Sequence, residues 1–297
     1  MTTSMKDDAA FATAFAHCEA LVREADPDRY WAAFFAPAGL RPYLFALYAF
    51  SQEIARVRES ISAPLPGEIR LQWWRDLLDS HVQANTQPDD AQPPVAQALL
   101  ATIRRFGLPA QPFHDLIDAR VFDLYDDPMP SVADLEGYCG ETSSALFRLA
   151  SLVLVEGREP GGADTAGHGG VAFAITGLLR ALPWHLRRGQ VFVPADIAAR
   201  HGLDREALLS PAGDDAALGG ALADMRALAR DHLAKALASM SDVAPEARAA
   251  MLPLVSVPAY LAEMEKRDYN PRRSVVEVPQ WRRLWSLWRA SRRWQNL

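Results

Sequence analysis

The fold class is decided by the stretch Tyr43-Leu-Phe-Ala-Leu-Tyr-Ala-Phe-Ser-Gln-Glu-Ile-Ala-Arg-Val-Arg-Glu59. Its apolar residues recur at the three- and four-residue spacing that places them on one face of an α-helix. The same spacing recurs along nearly the whole chain, whereas alternating segments with hairpin turns are almost absent. The sequence therefore predicts an all-α protein.

Helix start and stop signals divide the chain into eleven predicted helices. They span Phe11–Glu24, Leu40–Arg58, Glu68–Ser80, Pro94–Arg105, Pro112–Asp126, Ser131–Glu156, Gly170–Leu182, Pro194–Arg200, Ala216–Ala238, Pro258–Arg267 and Gln280–Trp294. Ser131 offers a helix N-cap, and Gly107 and Gly157 each end a helix. The polar breaks at 85–94, 159–170 and 210–215 are predicted to be loops between helices, so we expect one helical domain over residues 1–297.

Composition excludes several classes of protein. The chain has 297 residues, 49% of them apolar, and a net charge of −6, which argues against nucleic acid as a partner. It has only two cysteines, which argues against a disulfide scaffold and a structural zinc site, and fits a reducing cytoplasm. The first thirty residues lack the pattern of a signal peptide. The longest apolar stretches, Leu149–Val155 and Val171–Leu179, are shorter than the roughly 20 residues that cross a bilayer, so we expect them to be buried helix segments.

Two stretches place residues of interest one helical turn apart. In the first, Ala55 and Glu59 share a helix face. In the second, which runs from Thr176 to His185, the same spacing separates Ala181 from His185. Side chains at such positions can act together on one ligand.

Four segments along the chain resemble, in order and spacing, the motifs of the squalene and phytoene synthase family. They are Ala46-Leu-Tyr-Ala-Phe50, Glu136-Gly-Tyr-Cys139, Thr176 with Leu179-Arg180, and Arg188-Gly-Gln-Val-Phe-Val-Pro194. The resemblance covers most of the chain. It implies an all-α isoprenoid-synthase (terpenoid synthase) helical bundle around a central cavity, and head-to-head prenyl transfer. It also implies two aspartate-rich motifs that hold Mg²⁺ on the substrate diphosphates.

The chain departs from the family where those aspartates would stand. The first motif position carries Ala55, Arg56 and Glu59, and the second carries Ala181 and His185. Mg²⁺ takes oxygen ligands, and one glutamate among five positions cannot assemble a metal cluster. Pro183 is also expected to kink the second helix. We therefore predict no catalytic residue, no metal ligand and no cofactor; Mg²⁺ belongs only to the alternative, an active prenyl diphosphate transferase with atypical ligands.

This pattern of loss resembles a subfamily, the mitochondrial complex I assembly factor six proteins and their bacterial relatives. The supporting segments are Ala49-Phe50 with Glu53-Ile-Ala55, Arg70-Leu-Gln-Trp-Trp74, Glu141-Thr-Ser-Ser144 and Leu179-Arg-Ala-Leu-Pro-Trp-His185. The resemblance implies a retained synthase fold that assists assembly of the respiratory NADH dehydrogenase. The implied partner is a complex I subunit or assembly intermediate, and the implied place is the cytoplasm, peripheral to the inner membrane.

Five residues form the predicted substrate-binding set: Tyr48, Arg56, Glu59, Arg180 and His185. Arg56 and Arg180 are suited to bind a prenyl diphosphate directly; the alternative is an ordinary salt bridge to Glu59 or Glu53. His185 is suited to donate or accept a proton near neutral pH, and the alternative is a histidine held by structural hydrogen bonds. Tyr48 is expected in the core or along an apolar cavity for a prenyl or quinone-like lipid.

The C-terminal segment differs in charge from the rest of the chain. From Pro271 to Leu297 it holds seven arginines and one glutamate, a charge of +6, together with four of the eight tryptophans. Trp281, Trp285 and Trp288 fall on one face of the predicted helix over 280–294. This composition is typical of a helix at an anionic membrane surface. The alternative, which we favour because final helices are commonly buried, is that the tryptophans pack onto the domain and the arginines pair with the acidic body.

Overall fold

Helices form almost all of the regular structure. The computed structural model describes residues 5–84, 92–211 and 213–294. This part of the chain contains fifteen α-helices, several 3₁₀ segments, of which Pro245–Ser256 is the longest, and no β-strand. The all-α prediction is confirmed. Within the same ranges, no helix has both the length and the apolar character that a membrane span requires.

The helix bounds follow the predicted order with several differences. In the first half they are α1 Met5–Ala25, α2 Pro27–Ala33, α3 Arg41–Ala55, α4 Pro64–Ala84, α5 Pro94–Phe106, α6 Gln111–Val121, α7 Val132–Cys139 and α8 Ala145–Leu154. In the second half they are α9 Ala163–Arg180, α10 Leu182–Arg187, α11 Ala195–Arg200, α12 Arg205–Leu209, α13 Asp215–Ala238, α14 Val257–Glu263 and α15 Gln280–Trp294.

The contacts divide the chain into two units, each assembled from three segments. The first unit comprises Met1–Leu124, Leu146–Gly161 and Val243–Leu252, and the second comprises Tyr125–Ala145, Gly162–Asp242 and Pro253–Leu297. The single domain expected over residues 1–297 stays a prediction.

The core of the first unit is aromatic, as the stretch from Tyr43 indicated. Helix α3 packs against α1 and α5. Phe50 is fully buried, and its ring meets those of Trp74 and Phe113 edge to face, at centroid distances of 5.0 and 5.7 Å. Such pairs add to the stabilisation that comes from burial alone. The apolar face of α3 therefore fixes the helix in the core and with it the position of its C-terminal end, at Ala55.

The core of the second unit is formed by α9 against α13, the most extensive helix pair of the chain. The middle of α9 holds the buried residues Val171, Ala172 and Ile175, and the predicted buried stretch 171–179 lies within it. The other predicted buried stretch, 149–155, begins inside α8 in the first unit. Both are buried helix segments, as expected.

Several helix ends follow their sequence signals. The Ser131 hydroxyl accepts a hydrogen bond from the Asp134 amide at 3.2 Å and so caps α7. Gly107 ends α5 with φ 59°, and Gly157 follows α8 with φ 82°. This left-handed conformation favours glycine.

The single helix predicted from Ser131 to Glu156 is wrong in its middle. A π-helical turn over Gly140–Ser144 separates α7 from α8. In this segment the Thr142 hydroxyl bonds to the Tyr138 carbonyl at 2.6 Å, and the Ser144 hydroxyl bonds to the Gly167 carbonyl at 2.6 Å. These side-chain bonds support a backbone that departs from the α-helical pattern.

The loop predicted over 159–170 is also partly wrong, because α9 already begins at Ala163. Glycines suggested a break, yet Gly169 and Gly170 lie where the helix approaches its neighbours closely. A Cβ on Gly170 would lie 2.3 Å from the Cα of Ser144, and one on Gly169 would lie 2.7 Å from a methyl carbon of Leu254. The glycines allow close packing here and do not end the helix. Most of the loop predicted at 85–94 lies outside the described residues.

The kink predicted at Pro183 is confirmed as a break. Helix α9 ends at Arg180, Ala181 caps it with φ −84° and ψ 0°, and α10 begins at Leu182 with Pro183 in its first turn. Proline lacks the amide that would continue the hydrogen-bond ladder but fits the first turn of a helix. The two helices are therefore separated by the single residue Ala181.

The C-terminal helix α15 spans the predicted Gln280–Trp294. The favoured expectation for its tryptophans is wrong, because Trp281, Trp285 and Trp288 remain 69%, 58% and 44% exposed. Leu287 and Trp294 are the buried residues of this helix. The helix thus packs through its opposite face and leaves the three-tryptophan face outward.

Both cysteines are expected to be unreactive in the folded protein. Cys18 and Cys139 are buried. Burial raises the pKa of the Cys18 thiol to about 12, and the nearby Glu53 carboxylate adds to the rise. At pH 8 the reactive thiolate is then about a thousandfold scarcer than for a thiol of pKa 9. Titration with Ellman's reagent should detect neither thiol in native protein and both in guanidinium chloride; rapid native labelling would contradict the burial.

Candidate functional site

The first predicted motif lies at the end of α3. Ala55 is the last helical residue, and the Arg56 amide closes the helix by donating to the Gln52 carbonyl at 3.0 Å. The chain then continues in a 3₁₀ turn over Val57–Ser60. Ala55 has no ligand atom, so the only polar side chains that this turn offers from the predicted set are those of Arg56 and Glu59.

Arg56 and Glu59 lie close to each other in the open. The Arg56 Nε lies 3.7 Å from a Glu59 carboxylate oxygen, and the two side chains are 57% and 44% exposed. Glu53, the other candidate partner, pairs with Arg70 at 3.3 Å instead. The salt bridge to Glu59 that we gave as the ordinary alternative is therefore present. A pair this exposed contributes at most about 1 kcal/mol, so a stronger anion can compete for the guanidinium; ligand binding by Arg56 stays a prediction.

Tyr48 lies earlier on α3, and its side chain is buried. It lies beside an ion pair of Arg29 and Asp26 that the sequence analysis missed. The Arg29 guanidinium lies 5.5 Å from the Tyr48 ring centroid and 5.6 Å from that of Phe147. It is paired with the Asp26 carboxylate at 2.9 Å, and both side chains are nearly buried. Burial raises the pKa of Tyr48 above its ordinary range, and the Arg29 charge offsets part of the rise. Tyr48 thus belongs to the core of the first unit, and its part in substrate binding stays a prediction.

A sequence signal for this buried group exists. Asp26 precedes Pro27, and an N-cap aspartate followed by proline at the first helical position is a typical helix start. The structure has that helix, α2, with the Asp26 carboxylate accepting from the Arg29 amide at 3.1 Å. Reading this pair as a helix start places Arg29 one turn inside it.

The second predicted motif lies where α9 meets α10. The Arg180 guanidinium lies 3.8 Å from the ring centroid of Tyr260, which α14 supplies. Cation–π contacts of this kind hold a cation on an apolar surface without cancelling its charge. Ala181 has no ligand atom. The Arg180 side chain is therefore fixed by an aromatic ring, and its binding of a diphosphate stays a prediction.

His185 lies on α10 beside an aromatic ring. Its imidazole is 4.7 Å, centroid to centroid, from Phe192, which in turn lies 5.7 Å from Tyr138. Phe192 belongs to the segment that follows the turn at Gly189, where φ is 75°. The turn thus brings two of the family-like segments, 136–139 and 188–194, into contact through these rings. A role for His185 in binding stays a prediction.

Three titratable side chains of the second unit, which the sequence analysis did not predict, are linked by hydrogen bonds. The His232 Nε2 lies 2.9 Å from a Glu136 carboxylate oxygen, and its Nδ1 lies 2.9 Å from the Nδ1 of His168. A carboxylate only accepts, so His232 donates through Nε2; in a neutral imidazole this leaves its Nδ1 to accept from the Nδ1–H of His168. Helices α7, α13 and α9 supply these residues, which lie too far apart in sequence for spacing to reveal them.

The described residues offer little to a metal ion. Within them, no group of three or more histidine, cysteine, aspartate or glutamate side chains is arranged to hold a metal. At the five family positions the side chains are Ala55, Arg56, Glu59, Ala181 and His185. This set contains one carboxylate, already beside a guanidinium, and a hard oxygen-seeking ion such as Mg²⁺ does not fit it.

Comparison with known proteins identifies the family. A family model described as squalene/phytoene synthase matches residues 22–289. The chain belongs to the squalene/phytoene synthase family. The range that matches the squalene/phytoene synthase model contains all five predicted binding residues and ends within α15.

Two curated relatives have different names. A Rattus norvegicus protein named NADH dehydrogenase (ubiquinone) complex I, assembly factor 6, is 32% identical over 255 residues, which cover 86% of this chain and 74% of the rat protein. A Sinorhizobium fredii protein named presqualene diphosphate synthase is 27% identical over 168 residues, covering 56% of this chain and 58% of that protein. The predicted resemblance to the family and to its complex I assembly subfamily is confirmed.

A solved structure supports the fold assignment. The crystal structure of a dehydrosqualene synthase in complex with ligand superposes with a TM-score of 0.78 and 17% sequence identity, covering 97% of this chain and 98% of that chain. At this identity the likeness concerns the fold alone. The predicted isoprenoid-synthase helical fold is confirmed.

Proposed function

We propose that this member of the squalene/phytoene synthase family assists the assembly of respiratory complex I and does not condense prenyl diphosphates. The observation that carries the proposal is the similarity over 86% of the chain to a protein named complex I assembly factor 6. The altered residues at the two motif positions support it from the chemistry. The partner is a complex I subunit or assembly intermediate.

The absence of catalysis follows from the donor set. In the family chemistry, Mg²⁺ bound to carboxylates neutralises the departing diphosphate. Here Arg56 stands where a carboxylate is needed, and a guanidinium repels a cation. Ala55 and Ala181 supply no ligand atom, and His185 is a poor ligand for Mg²⁺. The residues present do not fit a magnesium cluster, so no step of ionisation is assigned to this protein.

The same residues fit an anion. Arg56, in the first unit, is exposed and 3.7 Å from its partner Glu59, and the guanidinium of Arg180, in the second, lies on the ring of Tyr260. Each is suited to contact a phosphate without a metal. We therefore extend the proposal to binding of a prenyl diphosphate or quinone-like lipid. Titration with a non-hydrolysable farnesyl diphosphate analogue should give heat that does not depend on Mg²⁺, and loss of binding in Arg180→Gln would identify that residue as a contact.

We also propose that the protein works at the cytoplasmic face of the inner membrane, as a peripheral protein. The +6 charge of residues 271–297 supports this placement, because anionic lipid attracts arginine. The rest of the chain carries a charge of −12, which anionic lipid repels, so we expect residues 271–297 to face the membrane.

The alternative is an active prenyl diphosphate transferase with atypical ligands. The relative named presqualene diphosphate synthase favours it. Under this alternative the product is a squalene- or phytoene-like compound, and the protein depends on Mg²⁺. Deleting the gene should lower assembled complex I under the first proposal and a polyprenyl hydrocarbon under the alternative.

Deleting the gene in the organism that carries it is expected to lower assembled complex I at least fivefold on native gels, with NADH:quinone activity falling in parallel. Succinate dehydrogenase should not change. A plasmid copy should restore complex I, and so should a copy with Ala55→Gly and Ala181→Gly, since neither position is assigned chemistry. Normal complex I together with loss of a polyprenyl hydrocarbon would contradict the proposal and favour the transferase.

A further inference from the structure

The outward face of α15 is apolar and aromatic. Trp281, Trp285 and Trp288 follow each other at spacings of four and three residues, so they form one stripe along the helix. They remain largely exposed, and Trp285 and Trp288 stack on each other with centroids 5.0 Å apart. A contiguous aromatic patch of this kind on a protein surface marks an interaction site.

The orientation of this stripe is set by packing on the other side of the helix. Leu287 and Trp294 are buried, and the Arg283 guanidinium reaches the Tyr260 hydroxyl at 3.5 Å. Arg282, near the start of the helix, pairs with Glu263 at 3.3 Å. The stripe therefore faces outward because the opposite face is already committed to the second unit.

Positive charge surrounds the stripe. Helix α15 contains five arginines and no acidic residue. Arg292 follows Trp288 by one turn, with its guanidinium 5.4 Å from that ring, while Arg289 and Arg293 lie along one flank. Exposed tryptophan beside arginine is the composition found at the headgroup level of membranes, where the indole sits at the boundary and arginine meets phosphate.

The arginine flank borders an apolar groove in the second unit. The groove encloses about 420 Å³ and is lined by Leu233, Leu237 and Leu254 on one side and by Ala290 and Trp294 of α15 on the other. Arg289 and Arg293 also line it. A groove with apolar walls and two guanidinium groups suits an acyl chain whose phosphate stays at the arginines.

We infer that α15 lies flat on an anionic phospholipid membrane, with Trp281, Trp285 and Trp288 in the headgroup layer and Arg289 and Arg293 on lipid phosphates. The inference rests on the membrane placement proposed above. It adds which residues of α15 contact the lipid. A protein partner could also bury tryptophan and arginine. The tryptophan stripe and the acyl-sized groove beside it favour a lipid surface, and the acidity of the rest of the chain favours contact through α15.

Vesicle binding tests this inference independently of complex I assembly. The full-length protein should sediment with vesicles containing 30% phosphatidylglycerol in phosphatidylcholine and should not sediment with phosphatidylcholine alone. Phospholipid brominated on its acyl chains should quench the tryptophan fluorescence of the bound protein. Raising the salt from 0.05 to 0.5 M should weaken binding, since surface charge attraction is screened.

Two variants assign the contacts. Trp281→Ser with Trp285→Ser and Trp288→Ser should lower the partition coefficient at least tenfold, while the melting temperature stays unchanged. The matched control is the exposed apolar stripe of α4, replaced as Leu65→Ser, Ile69→Ser and Trp73→Ser. It lies on a helix with two arginines and three carboxylates, and its replacement should change binding less than twofold.

The charge variant uses Arg289→Gln with Arg293→Gln. It should weaken binding about 25-fold at low salt, since each arginine near an anionic surface contributes about fivefold. The control Arg200→Gln with Arg230→Gln makes the same change in net charge on α11 and α13 and should have less than a twofold effect. Equal binding to neutral and anionic vesicles, or a tryptophan variant that binds like wild type, would overturn the inference. Normal complex I in the deletion strain would instead count against the assembly role, and it would not affect the result for binding to anionic vesicles.

Discussion

Replacing Arg29 with methionine is expected to lower the free energy of unfolding by about 3 kcal/mol, because removing one partner of a nearly buried ion pair leaves the other charge without compensation. The Asp26 and Arg29 side chains are only 11% and 8% exposed. The Asp26 carboxylate keeps its bond to the Arg29 amide, which sets the loss near the low end of the range for such pairs. Urea unfolding followed by circular dichroism measures the change.

The matched control for this prediction is Arg200→Met. Arg200 pairs with Asp224 at 3.0 Å, but the two side chains are exposed and Asp224 also bonds to His201. An exposed pair contributes at most about 1 kcal/mol, so this variant should unfold close to wild type. If both variants lost the same stability, the burial of Arg29 would not be the cause.

Replacing Gly170 with alanine is expected to cost about 3 kcal/mol, since a side chain forced into a packed interface shifts the backbone. The new Cβ would meet the Cα and the backbone nitrogen of Ser144 at 2.3 and 2.4 Å. Those atoms belong to the π-helical turn and cannot move away as a flexible side chain would. The turn and α9 must therefore separate, which also loosens the hydrogen bond from Ser144 to Gly167.

Gly177→Ala on the same helix is the control for Gly170→Ala. A Cβ at Gly177 meets nothing within 4 Å. Alanine inside a helix is favoured over glycine by roughly 0.5–1 kcal/mol, so this variant should be slightly more stable than wild type. Thermal melts of the two variants should therefore shift in opposite directions. A Gly170→Ala protein that melts with wild type would contradict the close packing of α9 on the π-helical turn.

Local sequence signals predicted most of the helices. The hydroxyl of Ser131, the left-handed backbone at Gly107 and Gly157 and the missing amide of Pro183 each act on the residues next to them in sequence, and each has the predicted effect. The errors occurred where packing overrides local preference. Gly169 and Gly170 suggested a loop, but they lie inside α9, and a Cβ on Gly170 would collide with the backbone of Ser144.

The candidate site was predicted only in part. Motif order selected Arg56, Arg180 and His185, which lie within the range that matches the squalene/phytoene synthase model; their roles in binding stay predictions. The chain from Glu136 through His232 to His168 could not be predicted, because 96 residues separate Glu136 from His232 in sequence. The sequence also did not decide which face of α15 is exposed. Periodicity placed three tryptophans on one face, but it did not predict which face packs against the protein.

The central claim is that this chain retains the fold of the squalene/phytoene synthase family without its magnesium-dependent condensation. The most direct test is to incubate purified protein with farnesyl or geranylgeranyl diphosphate and Mg²⁺, and to measure diphosphate release and coupled prenyl products by mass spectrometry. A comparison variant carries Ala55→Asp, Arg56→Asp, Ala181→Asp and His185→Asp. We predict no product above buffer from the natural chain; turnover well above buffer by the natural chain would contradict the claim.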